Sequence, residues 1–142
     1  MMEVIVNDVD ETVRLGESWG RRAARGTVFA LEGDLGAGKT QLARGIARGL
    51  GYRGRVQSPS FGLINVYEGG RLTVFHIDLY RLETAAAVCG AGLEEYLNQP
   101  DGVTVVEWAS RWFGPGDREI HRVVLETTGE NERRIRYDHV GD

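Results

Sequence analysis

The segment Gly33-Asp34-Leu35-Gly36-Ala37-Gly38-Lys39-Thr40 constrains this chain more than any other feature of its sequence. It fits the pattern G-x-x-x-x-G-K-[ST] at every fixed position, which is the signature of a phosphate-binding P-loop. A short β-prone apolar run at residues 27–31 precedes it, and residues 39–50 carry apolar side chains every fourth position, as in an amphipathic helix. This order of strand, glycine-rich turn and helix favours a functional loop over a chance glycine-rich turn.

Each position of the loop has a physical reason. Glycines let the backbone take positive φ and bring bare N–H groups close to phosphate oxygens. Lys39 adds a positive charge near the β and γ phosphates, and the Thr40 hydroxyl is a ligand for Mg²⁺. The predicted nucleotide-binding residues are Gly33, Asp34, Leu35, Gly36, Ala37, Gly38, Lys39, Thr40 and Gln41.

Apolar patterns divide the rest of the chain into short strands and helices. Asp8 and Glu11 have the spacing of a capping box, which predicts a helix running to about Arg25, with Gly26 as its stop. The proline of Ser58-Pro59-Ser60 interrupts regular structure before a hairpin. Strands are predicted at residues 3–6, 27–31, 61–67, 71–77, 103–108, 123–127 and 134–139, and short helical pieces within 84–97.

This order predicts an α/β protein with a P-loop NTPase fold. Its central sheet would be mixed but mostly parallel and flanked by helices on both faces, with a β-hairpin and antiparallel C-terminal strands. The 142 residues are expected to form a single P-loop ATPase domain over 1–142.

Composition limits the cellular locations and the binding partners that can be expected for this chain. With a net charge of −4, the chain as a whole is not an electrostatic nucleic-acid binder. Local arginine clusters, such as those at residues 21–25 and 44–55, are either solvated faces or a docking surface for an acidic partner. The sole cysteine, Cys89, excludes a disulfide within the chain, and no signal peptide or membrane span is evident. The expected location is cytoplasmic.

Two acids stand at the ends of predicted strands. Asp78 follows the strand at 71–77, and Glu107 follows the apolar run at 103–106. Ligands of open α/β sheets gather outside the carboxyl ends of the strands, so both acids are candidates to reach Thr40 and a metal ion. A turn-capping aspartate and a solvated strand-end glutamate are the alternatives. Arg81 is a candidate γ-phosphate contact or a surface ion pair, and His76 is a candidate base or, more often at such positions, a structural hydrogen-bonding residue.

Taken together, these segments resemble the TsaE (YjeE) family of ATPases of the tRNA threonylcarbamoyladenosine pathway. The resemblance rests on GDLGAGKT at 33–40, SPSF at 58–61, HIDLYRL at 76–82, GLEEYL at 92–97 and VVEW at 105–108. The loop alone is common, whereas its combination with SPSF and HIDLYRL is far more specific.

The resemblance implies a weak ATPase that binds ATP or ADP and Mg²⁺. It implies that TsaB and TsaD proteins are the partners, that tRNA is met only through their complex, and that ATP turnover resets that complex. Lys39, Asp78 and Glu107 would be catalytic, with Thr40, Glu107 and Asp78 at the metal. The other implied residues are Thr12 near the adenine, Arg134 near the nucleotide, and a switch loop of Ser58, Pro59, Ser60 and Phe61.

Two departures and two alternatives accompany this resemblance. Ser60 stands where the family usually has threonine, and Ala109-Ser110-Arg111 follows Trp108 where the family often has proline and an acid. A small-molecule kinase is one alternative, although no long arginine-rich lid is evident between the later strands. The other is a nucleotide-dependent switch in which occupancy matters and hydrolysis is incidental.

Overall fold

The computed structural model describes residues 2–59, 63–97, 101–113 and 120–138, with strands and helices interleaved. The strands are β1 (Met2–Val6), β2 (Val28–Glu32), β3 (Ile64–Tyr67), β4 (Thr73–Asp78), β5 (Gly102–Glu107), β6 (Ile120–Thr127) and β7 (Arg133–Tyr137). The helices are α1 (Val9–Arg22), α2 (Lys39–Gly49), α3 (Ala85–Gly90) and α4 (Glu94–Leu97), with a 3₁₀ turn at Ala109–Arg111.

The strands form one mixed sheet in the order β1-β7-β6-β2-β5-β4-β3. The four central strands, β6, β2, β5 and β4, are mutually parallel. The outer strands pair antiparallel, through the β3–β4 hairpin on one side and the β6–β7 hairpin with β1 on the other. The predicted mixed, mostly parallel sheet with a hairpin and antiparallel C-terminal strands is therefore confirmed.

Alternation along β2 builds a core on each face of the sheet. Phe29 and Leu31 face α1 and α2, where Trp19 stacks on Phe29 with ring centroids 6.0 Å apart. Val28 and Ala30 face the opposite side, in the cluster that contains α3, α4 and the 3₁₀ turn. A strand that buries both faces reads as a continuous apolar run, which explains why residues 27–31 predict a central parallel strand.

Helix α1 begins as the capping-box spacing predicts. Asp8 is the N-cap, and its side chain accepts a hydrogen bond of 2.8 Å from the backbone N–H of Glu11, while Glu11 accepts one from the N–H of Asn7. The predicted end is wrong, because α1 stops at Arg22 rather than near Arg25. The chain is extended at Ala23 (ψ 135°), and Gly26 takes its positive φ in the turn before β2.

Other boundaries shift by a few residues. β6 begins at Ile120 rather than 123, and its first residues pair with β2, a long-range contact that local patterns do not report. β3 begins at Ile64, and residues 61 and 62 of the predicted strand lie outside the described part of the chain. None of the helices within the four described ranges has the length and apolar character needed to cross a membrane.

Glycines set how closely α1 and α2 approach. A Cβ atom at Gly45 would lie 2.2 Å from the carbonyl oxygen of Val13, and one at Gly20 would lie 2.2 Å from that of Ile46. Gly16 and Gly49 are equally enclosed by backbone of the opposite helix. The two helices therefore touch backbone to backbone, and no other residue fits at these four positions without moving one helix.

We predict that Gly45→Ala lowers the free energy of unfolding by about 2 kcal/mol, because overpacking against a backbone outweighs the gain in helix propensity. Gly90→Ala is the matched control, since a Cβ there meets nothing within 4 Å. Urea unfolding followed by circular dichroism measures both. Equal midpoints for the two variants would contradict the close helix contact.

Candidate nucleotide-binding site

The loop between β2 and α2 surrounds a pocket of about 370 Å³. At Gly33, with φ +154°, a Cβ atom would lie 2.6 Å from the carbonyl oxygen of Leu125, so only glycine fits. Gly38, with φ +104°, caps α2 without any side chain. The first turn of α2 consequently presents bare backbone to the pocket, and a helix N-terminus attracts anions.

Lys39 reaches back across the loop. Its amino group donates hydrogen bonds to the carbonyl oxygens of Gly33 and, at 3.0 Å, Asp34. The same group lies 4.4 Å from the centroid of the Trp108 ring, a cation–π contact. Burial lowers the pKa of the Lys39 amino group, and nearby carboxylates oppose that shift. The lysine is therefore held at the pocket by the loop backbone and by one aromatic face.

The two strand-end acids meet beside this lysine. Asp78 ends β4 and Glu107 ends β5, and the two residues are direct partners in the parallel register. Both side chains are buried, with 4% and 3% exposure. The Thr40 hydroxyl donates to Glu107 Oε2 at 3.0 Å, which joins the first turn of α2 to the end of β5. The structure thus assembles Lys39, Thr40, Asp78 and Glu107 in one place.

The segment before β3 contacts the same acids. Ser58 lies in the pocket lining, and its hydroxyl donates to Asp78 Oδ2 at 3.1 Å. The other carboxylate oxygen of Asp78 accepts the backbone N–H of Tyr80 at 2.9 Å. Pro59 is buried next to this contact in the chain. Ser60 and Phe61, the remaining predicted switch-loop residues, lie outside the described residues.

Most of the residues predicted from the sequence line the pocket together. The lining includes Thr12, Leu35, Gly36, Ala37, Gly38, Lys39, Thr40, Gln41, Ser58, Asp78 and Glu107. Gly33 and Asp34 contribute through the carbonyl groups that hold Lys39 rather than through the pocket surface. Thr12 is buried on α1, where its hydroxyl donates to the carbonyl oxygen of Asp8 at 3.4 Å.

Arg134, which the resemblance implies to be near the nucleotide, is one residue away from the arginine that lines the pocket. Arg134 is not among the described residues that line the pocket; it forms an ion pair with Glu126, its cross-strand partner. Arg133 lines the pocket instead, and its Nη2 donates to the carbonyl oxygen of Gly36 at 3.2 Å. Successive strand residues face opposite sides, so Arg133 shares the α1 face with buried Ile135, and Arg134 points away. Arg81 is exposed and is likewise outside this lining.

Sequence reasoning missed several lining residues. Tyr80, Trp108, Asn131 and Arg133 complete the pocket together with Asp8 and Val9. Trp108 has a left-handed backbone, with φ 59°, which turns the chain out of β5 into the 3₁₀ turn formed by Ala109-Ser110-Arg111. An aromatic residue directly after a strand-end acid was the available signal. No pattern in the neighbouring residues indicated that the β6–β7 turn would bring Asn131 to the loop.

His76 is fully buried in β4 and lines no part of the pocket surface described here. Its Nε2 lies 2.6 Å from Glu107 Oε2, and its Nδ1 lies 2.8 Å from the Tyr67 hydroxyl. Between the two alternatives that the sequence left open, these contacts favour a structural hydrogen-bonding residue over a base that reaches a substrate.

The oxygen donors fit a magnesium ion. Thr40, Glu107 and Asp78 supply one hydroxyl and two carboxylates, the hard ligands that Mg²⁺ prefers. Within the described ranges, no group of three or more His, Cys, Asp or Glu side chains could hold a metal ion by itself. A few protein oxygens completed by phosphate oxygens and water are the usual environment of Mg²⁺ at nucleotide sites.

Comparisons with known proteins identify the family and the fold. The family model of threonylcarbamoyl adenosine biosynthesis protein TsaE matches residues 6–135. The tRNA threonylcarbamoyladenosine biosynthesis protein TsaE of Synechocystis is 41% identical over 78% of this chain and 71% of its own. That of Bacillus subtilis is 38% identical over 94% of this chain and 82% of its own. The crystal structure of Bacillus subtilis YdiB superposes with a TM-score of 0.78 at 33% identity, covering 99% of this chain and 86% of that one.

The sheet order, the loop and this structural neighbour define an α/β protein with the P-loop fold. The family match covers most of the sequence. The chain belongs to the TsaE family of tRNA threonylcarbamoyladenosine biosynthesis.

We predict that Arg133→Ala weakens binding of ATP about tenfold, because a charged hydrogen-bonding group contributes roughly 1.5 kcal/mol. Arg134→Ala is the matched control on the opposite face and should leave affinity unchanged. The hydrogen bond and charge of Arg134 hold the pKa of Glu126 below its ordinary value, so this control should raise it. Calorimetry measures the affinities and NMR titration follows Glu126. The reverse order of affinities would restore Arg134 as the pocket arginine.

Proposed function

We propose that this chain binds ATP with Mg²⁺ and hydrolyses it as a component of the tRNA threonylcarbamoyladenosine machinery. The observation that carries the proposal is the convergence of Lys39, Thr40, Asp78 and Glu107 on one pocket. Family membership supports the pathway, because the relatives are tRNA threonylcarbamoyladenosine biosynthesis proteins. The acids, in addition to the loop, are what favour hydrolysis over phosphate binding alone.

The loop and Lys39 would bind the phosphates. The N-terminal turn of α2 offers backbone N–H groups, and the Lys39 amino group is already at the pocket through its contacts with the loop carbonyls. A phosphate oxygen is a stronger acceptor for an ammonium group than a neutral carbonyl. We therefore expect Lys39 to turn from the Gly33 and Asp34 carbonyls to the nucleotide when it binds.

The acids would hold the metal and orient the attacking water. Thr40 and Glu107 already touch, so they are the natural pair of metal ligands, with Asp78 adjacent in the sheet register. When bound, Mg²⁺ neutralises charge on the β and γ phosphates. Asp78 is held by Ser58 and by the backbone of Tyr80. Ser58 is the first residue of the switch loop that the family resemblance implies, so this hydrogen bond would link the acid to that loop.

The partners and the cycle follow from family resemblance. TsaB and TsaD would receive the effect of ATP turnover, which resets their complex between rounds of modification. The net charge of −4 supports contact with tRNA through that complex rather than by the isolated chain. A cytoplasmic location suits a protein that meets tRNA.

Reconstitution tests the proposal directly. ATPase activity of the chain should be weak alone and strongly stimulated by a TsaB–TsaD complex. Lys39→Ala should reduce affinity for ATP at least about tenfold, because the lysine contributes a charged hydrogen bond to phosphate. Colorimetric phosphate release and calorimetry measure these quantities. Transfer of the γ phosphate to a metabolite without stimulation by the complex would favour a small-molecule kinase instead.

Glu107→Gln separates hydrolysis from occupancy. It keeps the side-chain volume but removes the carboxylate, so turnover should fall about a hundredfold while ATP still binds. Asp101→Asn, an exposed acid outside the pocket, is the control and should behave as the wild type. Formation of threonylcarbamoyladenosine over several cycles is the second readout. Full modification by a Glu107→Gln protein that no longer hydrolyses ATP would show that the chain is a nucleotide-dependent switch.

A further inference from the structure

A chain of hydrogen bonds runs through the interior from β3 to the proposed metal site. Its members are the Tyr67 hydroxyl, the His76 ring, the Glu107 carboxylate and the Thr40 hydroxyl. The contacts measure 2.8, 2.6 and 3.0 Å in that order. The chain crosses three neighbouring strands, β3, β4 and β5, and ends on α2.

The orientation of these bonds follows from the chemistry of their groups. A carboxylate only accepts, so His76 Nε2 carries a proton and donates a hydrogen bond to Glu107. In a neutral ring Nδ1 then accepts, and the Tyr67 hydroxyl donates to it. Burial raises the pKa of the Tyr67 phenol, which keeps this donor protonated.

The Tyr67 hydroxyl also lies 3.3 Å from the Gln57 carbonyl oxygen, but that oxygen has another hydrogen-bond donor. Asn65 Nδ2 donates to the same oxygen at 3.1 Å. The single proton of the Tyr67 hydroxyl is therefore available for His76, the shorter of its two contacts. Tyr67 also stacks on Tyr52, with centroids 4.7 Å apart, so its ring is fixed by packing as well as by hydrogen bonds.

His76 and Glu107 are buried, so each needs a hydrogen-bond partner within the protein. His76 is 0% exposed and Glu107 3%, so the interaction that orients the carboxylate is shielded from water. A buried carboxylate without donors would be costly, and its two oxygens would be free to rotate between partners. Nε2–H of His76 holds Oε2, and this fixes the plane of the carboxylate relative to Thr40.

We infer that Tyr67 and His76 are positioning residues that orient Glu107 against Thr40 for metal-bound nucleotide. This inference rests on the proposed ATP site, and it assigns a task to two buried polar residues that phosphate binding does not use. Neither residue touches the pocket. They act through Glu107, as partners of metal-ligating carboxylates commonly do, where their loss costs about 10–100-fold in metal affinity or activity.

Four single variants test this inference with matched controls. Tyr67→Phe removes only the hydroxyl, and Tyr52→Phe removes the hydroxyl of the ring stacked on it, which lies outside the chain of bonds. His76→Asn retains an amide near Tyr67 but is too short to reach Glu107. His76→Gln places an amide donor near the position of Nε2 and should restore the contact.

The main readout does not require turnover. Affinity for a non-hydrolysable ATP analogue (adenylyl imidodiphosphate) is measured by calorimetry with and without Mn²⁺. The gain in affinity caused by Mn²⁺ should fall about tenfold in His76→Asn. It should fall by a smaller factor in Tyr67→Phe and stay near the wild-type value in His76→Gln and Tyr52→Phe. Affinity without metal should be the same in all five proteins.

A second readout separates positioning from stability. If the wild type hydrolyses ATP, kcat should be lowest in His76→Asn, intermediate in Tyr67→Phe and highest in the wild type. KM should change little in either variant. Urea midpoints report folding, and Tyr67→Phe and Tyr52→Phe should be similar. Equal Mn²⁺ effects in wild type, Tyr67→Phe and His76→Asn would overturn the inference and leave both residues structural. A different result would separate the two proposals. If the wild type has no ATPase activity even with TsaB–TsaD, but the Mn²⁺ effect still follows the predicted order, the proposed hydrolysis is overturned and the positioning role is supported.

Discussion

The parallel register of β2, β5 and β4 is the constraint on which the site depends. β2 ends at the loop, β5 ends at Glu107 and β4 ends at Asp78, and the shared direction brings all three ends to one edge. A slip of one residue in either pairing would turn one carboxylate to the opposite face. The register is held by apolar residues on both faces, so the energy that fixes the acids comes from the core rather than from the acids themselves.

The close contact between α1 and α2 sets the width of the pocket. Thr12 lines the pocket from α1, and Lys39 and Thr40 line it from α2. Less than two turns away, Gly16 and Gly45 bring the same two helices into backbone contact. A larger side chain at that contact would separate the two walls as well as weaken the fold, so these glycines belong to the geometry of the site although they contact no ligand.

Local signals explain what the sequence could predict. The P-loop, the capping box at Asp8, the strand-end acids and both hairpins depend on neighbouring residues, and the structure contains each of them. Pairing of β1 with β7 and of β6 with β2 joins distant segments, so periodicity does not reveal it. Arg133 was missed for another reason: the family resemblance pointed to its neighbour Arg134, and strand faces alternate with every residue, so only the cross-strand register shows which arginine lines the pocket. Trp108 was missed because its left-handed backbone is a tertiary feature.

The pairing of β1 with β7 also has a consequence for the order in which the protein is made. Val6, the last residue of β1, is opposite Arg133, the first residue of β7. The wall formed by Asp8, Val9 and Thr12 follows β1 directly, so it is anchored to a strand that the ribosome produces more than 120 residues later. At about 5–20 residues per second, residues 33–49 are synthesised roughly 4–20 s before this anchor is available. The pocket, whose lining also includes Asn131 and Arg133, can therefore close only after nearly the whole chain has been made.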